Sequence, residues 1–236
     1  MKAFLLIIMM SLYAFANIGT IMALKGSATI ERTKSVAAKM GMTIVVGDKI
    51  VTSADSRVQV MLKDETVVTI GANSSFDFQT FSFDGTKNST VNLKANRGFF
   101  RTVTGKIAKV APNRFKVKTV SATIGIRGTD FSGTIDLERD TETIRCYSGQ
   151  IFVELDKGGV QNIDAGMLIE ISNKNVDVKE SVGQMPLNKV IYQSKITPEE
   201  ISEVSNETTK PETHSVESYP DHTPDYIPNF HKEYNY

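Results

Sequence analysis

Residues 119–137, TVSATIGIRGTDFSGTIDL, decide how the rest of the chain is read. Ala122, Ile124 and Ile126 alternate with Thr123, Gly125 and Arg127, the two-residue period of a strand with one face buried. After Gly128 the phase changes: Phe131, Ile135 and Leu137 take the inward positions, and Ser132, Thr134 and Asp136 face out. One residue must therefore be absorbed between Ile126 and Phe131. A bulge or tight corner at Gly128 does this with least strain, because glycine reaches backbone angles that other residues resist. The stretch reads as strand, corner, strand.

Arg127 stands between Gly125 and Gly128 at that corner, where its guanidinium is free to make several fixed hydrogen bonds. In one reading it is a structural clamp, paired with a carboxylate such as Asp130 or capping loose carbonyls at the turn. In the other, Gly125, Arg127, Gly128, Thr129 and Asp130 form a site for an anion or a peptide carboxylate.

From Gly26 to about Val178 the chain is a series of short alternating runs broken by glycine, asparagine or aspartate, such as Val58, Val60 and Leu62 before Asp64-Glu65. No run of helical period appears, so this region is expected to be all-β. Phase flips near Val120, Gly128 and Gly149 imply closely spaced corners, which suit a short-stranded β-solenoid-like stack or a compact β-sandwich. Residues 76–94 are polar and read as an exposed loop or hairpin. Phe76, Phe78, Phe81 and Phe83 interrupt that polarity, either as edge-of-core packing or as a partner-binding patch.

The run ATIGIRGTDF, preceded by FKVKT, resembles the most diagnostic part of the FecR domain, a bacterial envelope module of transmembrane signalling regulators. Further blocks are similar in the same order: VGDKIVTSADSRVQVMLKD (residues 46–64), TVVTIGANSSF (66–76), GFFRTVTGKIA (98–108) and YSGQIFV (147–153). The resemblance covers roughly residues 26–171 and implies a solenoid-like β fold. It departs from the family at Asp64-Glu65, where aspartate followed by glycine is usual. A type I′ hairpin wants positive φ at both turn positions, so this turn is expected to be longer or of another type.

Residues 1–16 read as a secretory signal: Lys2 is the positive end, residues 3–12 the apolar run, and Ala14-Phe15-Ala16 an A-x-A cleavage site. An uncleaved anchor is disfavoured, since about 20 apolar residues are needed to span a bilayer. Cleavage after Ala16 leaves 220 of 236 residues and removes one charge, turning the balance of 27 basic and 27 acidic residues to −1. A near-neutral chain gives no electrostatic case for nucleic acid. The expected location is periplasmic, with the cell surface or secretion as other exported destinations and no stable membrane insertion. The single cysteine, Cys146, is then either a buried small hydrophobe or an intermolecular cross-link.

The expected organisation is a signal peptide (1–16), a FecR-like β domain (17–183), a short helical extension (184–206) and a disordered tail (207–236) rich in proline, histidine and tyrosine. Thr197-Pro198-Glu199-Glu200 is the helix start. His214, His222 and His231 all lie in the tail, at spacings that match no metal-ligand pattern, and the β region offers no imidazole for a catalytic triad. Asp48, Asp55, Asp64, Asp77 and Asp130 are expected to close turns rather than to hydrolyse glycosides. Neither enzymatic activity nor a cofactor is expected.

Two functional classes follow. In the first, carried by the resemblance, the protein is a periplasmic signalling or sensing module that binds a protein or ligand. FecR-type regulators relay the occupancy of an outer-membrane receptor to an anti-sigma system through a membrane helix and a cytoplasmic segment. Neither of those is read in this sequence, so a signalling role is expected to require a partner. In the second class the protein is a structural or interaction protein of the envelope, binding peptidoglycan, polysaccharide or another envelope protein through exposed strand edges and the aromatic tail.

Overall fold

Alternation of aliphatic and polar residues defines the strands of this protein, and a few glycines define where they bend. The computed structural model describes residues 17–172 and 175–180. The expected signal peptide, helix and tail lie outside the described residues.

The N-terminal part comprises β1 (Asn17–Lys25), β2 (Ala28–Glu31), β3 (Val36–Ala37), β4 (Thr43–Val45) and β5 (Lys49–Thr52), followed by β6 (Arg57–Leu62), β7 (Val67–Ile70), β8 (Ser75–Ser82) and β9 (Thr90–Val103). One helical turn, α1 (Ile107–Val110), and a 3-10 turn (Pro112–Arg114) come next. Four residues are too few for a 3.6-residue period to show in sequence. The rest is β10 (Phe115–Lys118), β11 (Ala122–Asp136), β12 (Thr141–Leu155), β13 (Val160–Asp164), β14 (Met167–Ser172) and β15 (Val176–Glu180).

The three longest strands, β9, β11 and β12, each pass from one half of the fold to the other. β9 pairs with β8 and β10 over its first part and with β7 and β11 over its second. β11 pairs with β10 from Thr123 to Gly125 and with β9 from Asp130 to Ile135. β12 pairs with β14 early and β13 late. Each strand has a glycine of positive φ where its partners change: Gly98 at 78°, Gly128 at 62° and Gly149 at 73°. An L side chain resists that conformation, so glycine lets a continuous strand bend here instead of ending. The expected corner is thus a bulge within one 15-residue strand, between Arg127 and Asp130. The flip near Val120 is the turn from β10 into β11, closed by Thr119 N–H to the Ala122 carbonyl at 2.8 Å.

Bending folds the strand-paired system over one hydrophobic core. Phe76 of β8 meets Phe100 of β9 at 5.6 Å between ring centroids, and Phe100 meets Phe131 of β11 edge-on at 6.0 Å. Each fully buried ring contributes roughly 1.5–3 kcal/mol relative to exposure. Strand lengths range from 2 to 15 residues, so no uniform coil repeats among the described residues. The all-β expectation holds: the described strands are hydrogen-bonded into a single sheet system around one core.

Phe76 and Phe78 are core residues, with Phe81 and Phe83 packed against the core, which removes the partner-patch reading of this quartet. The polar stretch is a hairpin whose loop spans only residues 83–89. Leu137, expected inward, is 57% exposed. The Asp136 carboxylate accepts hydrogen bonds from the backbone N–H groups of Glu138 and Arg139, each at 3.0 Å, and this turn ends β11 before the alternation reaches Leu137.

The β6–β7 turn also differs from the two-residue hairpin. Glu65 N–H donates to the Leu62 carbonyl at 3.0 Å, Leu62 N–H to the Thr66 carbonyl at 2.8 Å, and Glu65 adopts φ 69°. This is a three-residue turn with its last residue left-handed. Replacing Glu65 with glycine should stabilise the protein by about 1 kcal/mol: a non-glycine residue there costs about 1–2 kcal/mol, partly offset by glycine's greater freedom when unfolded. The exposed Glu65–Lys106 pair, lost in the variant, contributes little. Urea unfolding should show a higher midpoint; a lower one would mean that the ion pair outweighs the strain.

Candidate functional site

The bulge of β11 is a locked polar corner. Arg101 on β9 reaches Asp130 through a two-pronged contact, Nε to Oδ1 at 2.8 Å and Nη2 to Oδ2 at 2.6 Å. Both side chains are almost completely buried, at 4% and 6% exposure. The Arg101 guanidinium lies over the Tyr147 ring, 4.5 Å from its centroid, and the Tyr147 hydroxyl is 3.1 Å from the Ser132 hydroxyl. Hydrogen bonding to Asp130 raises the Arg101 pKa above its already high range, so the guanidinium stays cationic. Tyr147 also accounts for Ser132, which faces outward by parity yet is 5% exposed.

This arrangement corrects the clamp assignment. Asp130 belongs to Arg101, and Arg127 is exposed with no hydrogen bond or ion pair of its side chain among the described residues. Thr129 is tied by its backbone to Thr104: its N–H donates to Thr104 Oγ1 at 2.9 Å, and its carbonyl accepts from Thr104 N–H at 3.0 Å. Gly125 lies opposite Phe152. Gly128 carries the bulge, and Gly149 packs directly on its carbonyl. The five candidates are brought together, but only Arg127 presents a free polar group to solvent. Arg101 was missed because its partner is 29 residues away; the one local signal was an arginine inside the apolar block GFFRTV.

Two of the five aspartates expected at turns are held by arginines, Asp48 while also closing its turn, and Asp77 lies not at a turn but within β8. Asp130 is one; Asp48, fully buried, takes Arg32 Nε at 2.5 Å and Nη2 at 2.8 Å and also accepts Val45 N–H at 2.8 Å. Asp64 does close its turn, accepting Thr66 N–H at 3.2 Å and its hydroxyl at 2.6 Å. No cluster of three or more metal-ligating side chains is present among the described residues.

Cys146 is fully buried, which leaves it no route to an intermolecular disulfide in the folded state. Burial pushes its thiol up to about 11, and the Asp130 and Asp164 carboxylates add to the rise. Since the thiolate is the reactive form, Cys146 should resist Ellman's reagent at neutral pH in the native protein and react stoichiometrically once denatured. Rapid labelling without denaturant would show that the corner opens.

Residues 48–152 match the family model described as FecR protein. No curated protein matches the chain. Two crystal structures of a "putative anti-sigma factor" from Parabacteroides distasonis ATCC 8503 are similar to it. One is 18% identical with a TM-score of 0.49, and the match covers 61% of this chain and 63% of that one. The other is 19% identical with a TM-score of 0.47, covering 61% and 71%. The family match spans Gly98, Gly128 and Gly149 together with the Arg101–Asp130 pair. Over residues 48–152, then, the chain matches the FecR family that its sequence blocks resemble.

Proposed function

We propose that this protein is a non-enzymatic, exported binding module of the bacterial cell envelope, which takes part in signalling or sensing by contacting a partner protein. The FecR match over residues 48–152 carries the reading. The chemistry of the corner supports it: the Arg101, Asp130, Tyr147 and Ser132 side chains are engaged with one another rather than poised toward a substrate. No helix among the described residues is long and apolar enough to cross a membrane. Asn17, the first residue after the expected cleavage, is also the first of β1, so processing there would leave that strand whole. N-terminal sequencing of the protein recovered from cells should begin at Asn17; a chain that keeps Met1 and fractionates with membranes would remove the export argument.

In-cell cross-linking of the full chain, followed by identification of the captured species, tests the function. Recovery of an outer-membrane receptor or an inner-membrane signalling protein supports the proposal. Recovery of cell-wall fragments alone would replace it with the structural reading.

A further inference from the structure

Strand register assembles a row of charges on the outward face of the half-sheet formed by β2, β5, β8, β9 and β10. Glu31 stands opposite Lys49, Lys49 opposite Asp77, and Asp77 opposite Lys94; Lys118 follows beside Lys94. Signs alternate as far as Lys94, where two ammonium groups become neighbours, an arrangement that destabilises a sheet unless something answers it. Glu31 and Lys49 satisfy each other at 2.6 Å. Lys94, Arg97 and Lys118 have no ion-pair partner among the described residues. The Asp77 Oδ1 atom is closed to solvent yet has no hydrogen-bond partner.

Asp77, Lys94 and Arg97 line an open groove of about 530 Å³ together with the paired Glu31 and Lys49 and with Ser75, Asn96, Val51 and Leu137. Leu137 is the residue that the Asp136 turn turns outward, and its exposed side chain gives the groove an apolar ledge. A ligand for this groove must bring carboxylates for Lys94 and Arg97, a hydrogen-bond donor for Asp77, and an aliphatic group for Leu137 and Val51. An extended acidic peptide supplies all three through its side chains and backbone N–H groups. An anionic polysaccharide supplies the first two and leaves the ledge uncovered. The openness of the groove fits a chain laid along it better than an enclosed small molecule.

We infer that this groove is the docking surface for an acidic, extended segment of the partner protein. The inference rests on the binding-module reading and names the chemistry of its partner. The test is fluorescence anisotropy of the full chain with a labelled peptide of alternating glutamate and leucine, run against its lysine counterpart and against alginate oligomers. The acidic peptide should bind and the basic one should not. Lys94→Glu/Arg97→Glu should weaken binding by about tenfold or more, whereas Lys39→Glu/Lys63→Glu, an equal charge change elsewhere, should alter it by less than about twofold. Lys94→Ala/Arg97→Ala serves if the double reversal does not fold, with a loss in the same direction. Leu137→Ser should weaken the peptide but not alginate. Equal loss from both charge reversals, or alginate displacing the peptide without regard to Leu137, would overturn the inference. If the cellular partner cross-links equally to wild type and to Lys94→Glu/Arg97→Glu, the groove fails and the binding module stands. If wild type captures no partner, the binding-module reading itself fails, whatever the peptide does.

Discussion

Arg101→Ala should bring the domain close to unfolding, while Arg127→Ala should leave its thermal transition nearly unchanged. Removing the Arg101 guanidinium strands the Asp130 side chain at 6% exposure with neither water nor a cation to answer it. Breaking a buried pair on one side costs roughly 3–5 kcal/mol, against total domain stabilities of about 5–15 kcal/mol. At about 2–4 °C per kcal/mol for a protein of this size, the melting temperature should fall by roughly 6–20 °C. Arg101→Lys keeps the charge and loses the fork, so it should lie between. Arg101→Met/Asp130→Leu should recover much of the loss, because an apolar pair of similar volume is often neutral in such a site. Arg127, exposed and unpaired, should change stability by no more than about 0.5 kcal/mol. Circular dichroism melts of the four variants check this. If Arg127→Ala proved the more damaging change, the clamp would belong to Arg127 after all.

The two arginines show what was legible in the sequence. The phase flip after Ile126 located the bulge, because one inserted residue in a two-residue period must exchange the faces, and Gly128 was the residue able to absorb it. Which cation would then meet Asp130 depended on how β9 lies against β11, a pairing between strands with no local trace. Arg127 was the nearest candidate along the chain; Arg101 was the nearest in space. The groove was hidden for the same reason. Glu31, Lys49, Asp77 and Lys94 come from four strands, and only the register makes them one row. Leu137 failed for a different cause: alternation says which face a residue takes while a strand lasts, and the Asp136 turn ended the strand first.

Gly149→Ala should be far more damaging than Gly128→Ala, although both glycines have positive φ and share one bulge. At Gly128, with φ 62°, an added Cβ would meet nothing within 4 Å. Its replacement therefore costs only the left-handed backbone penalty, about 1–2 kcal/mol. At Gly149, with φ 73°, the Cβ would sit 2.0 Å from the Gly128 carbonyl oxygen and 3.0 Å from that of Arg127. Both are backbone atoms of β11, so no side chain can swing aside. Relief would require moving the bulge that holds Asp130 against Arg101 and carries Thr129 onto Thr104. Overpacking of this kind adds about 1–3 kcal/mol to the backbone penalty, for a total of roughly 2–5 kcal/mol. Asparagine separates the two contributions, because it tolerates the left-handed conformation but keeps a Cβ. Gly128→Asn should recover much of what Gly128→Ala loses, and Gly149→Asn should recover little. Equal melting temperatures for Gly128→Ala and Gly149→Ala would show that β11 and β12 separate at the bulge more easily than their contact implies, and that the corner is held by the Arg101–Asp130 pair alone.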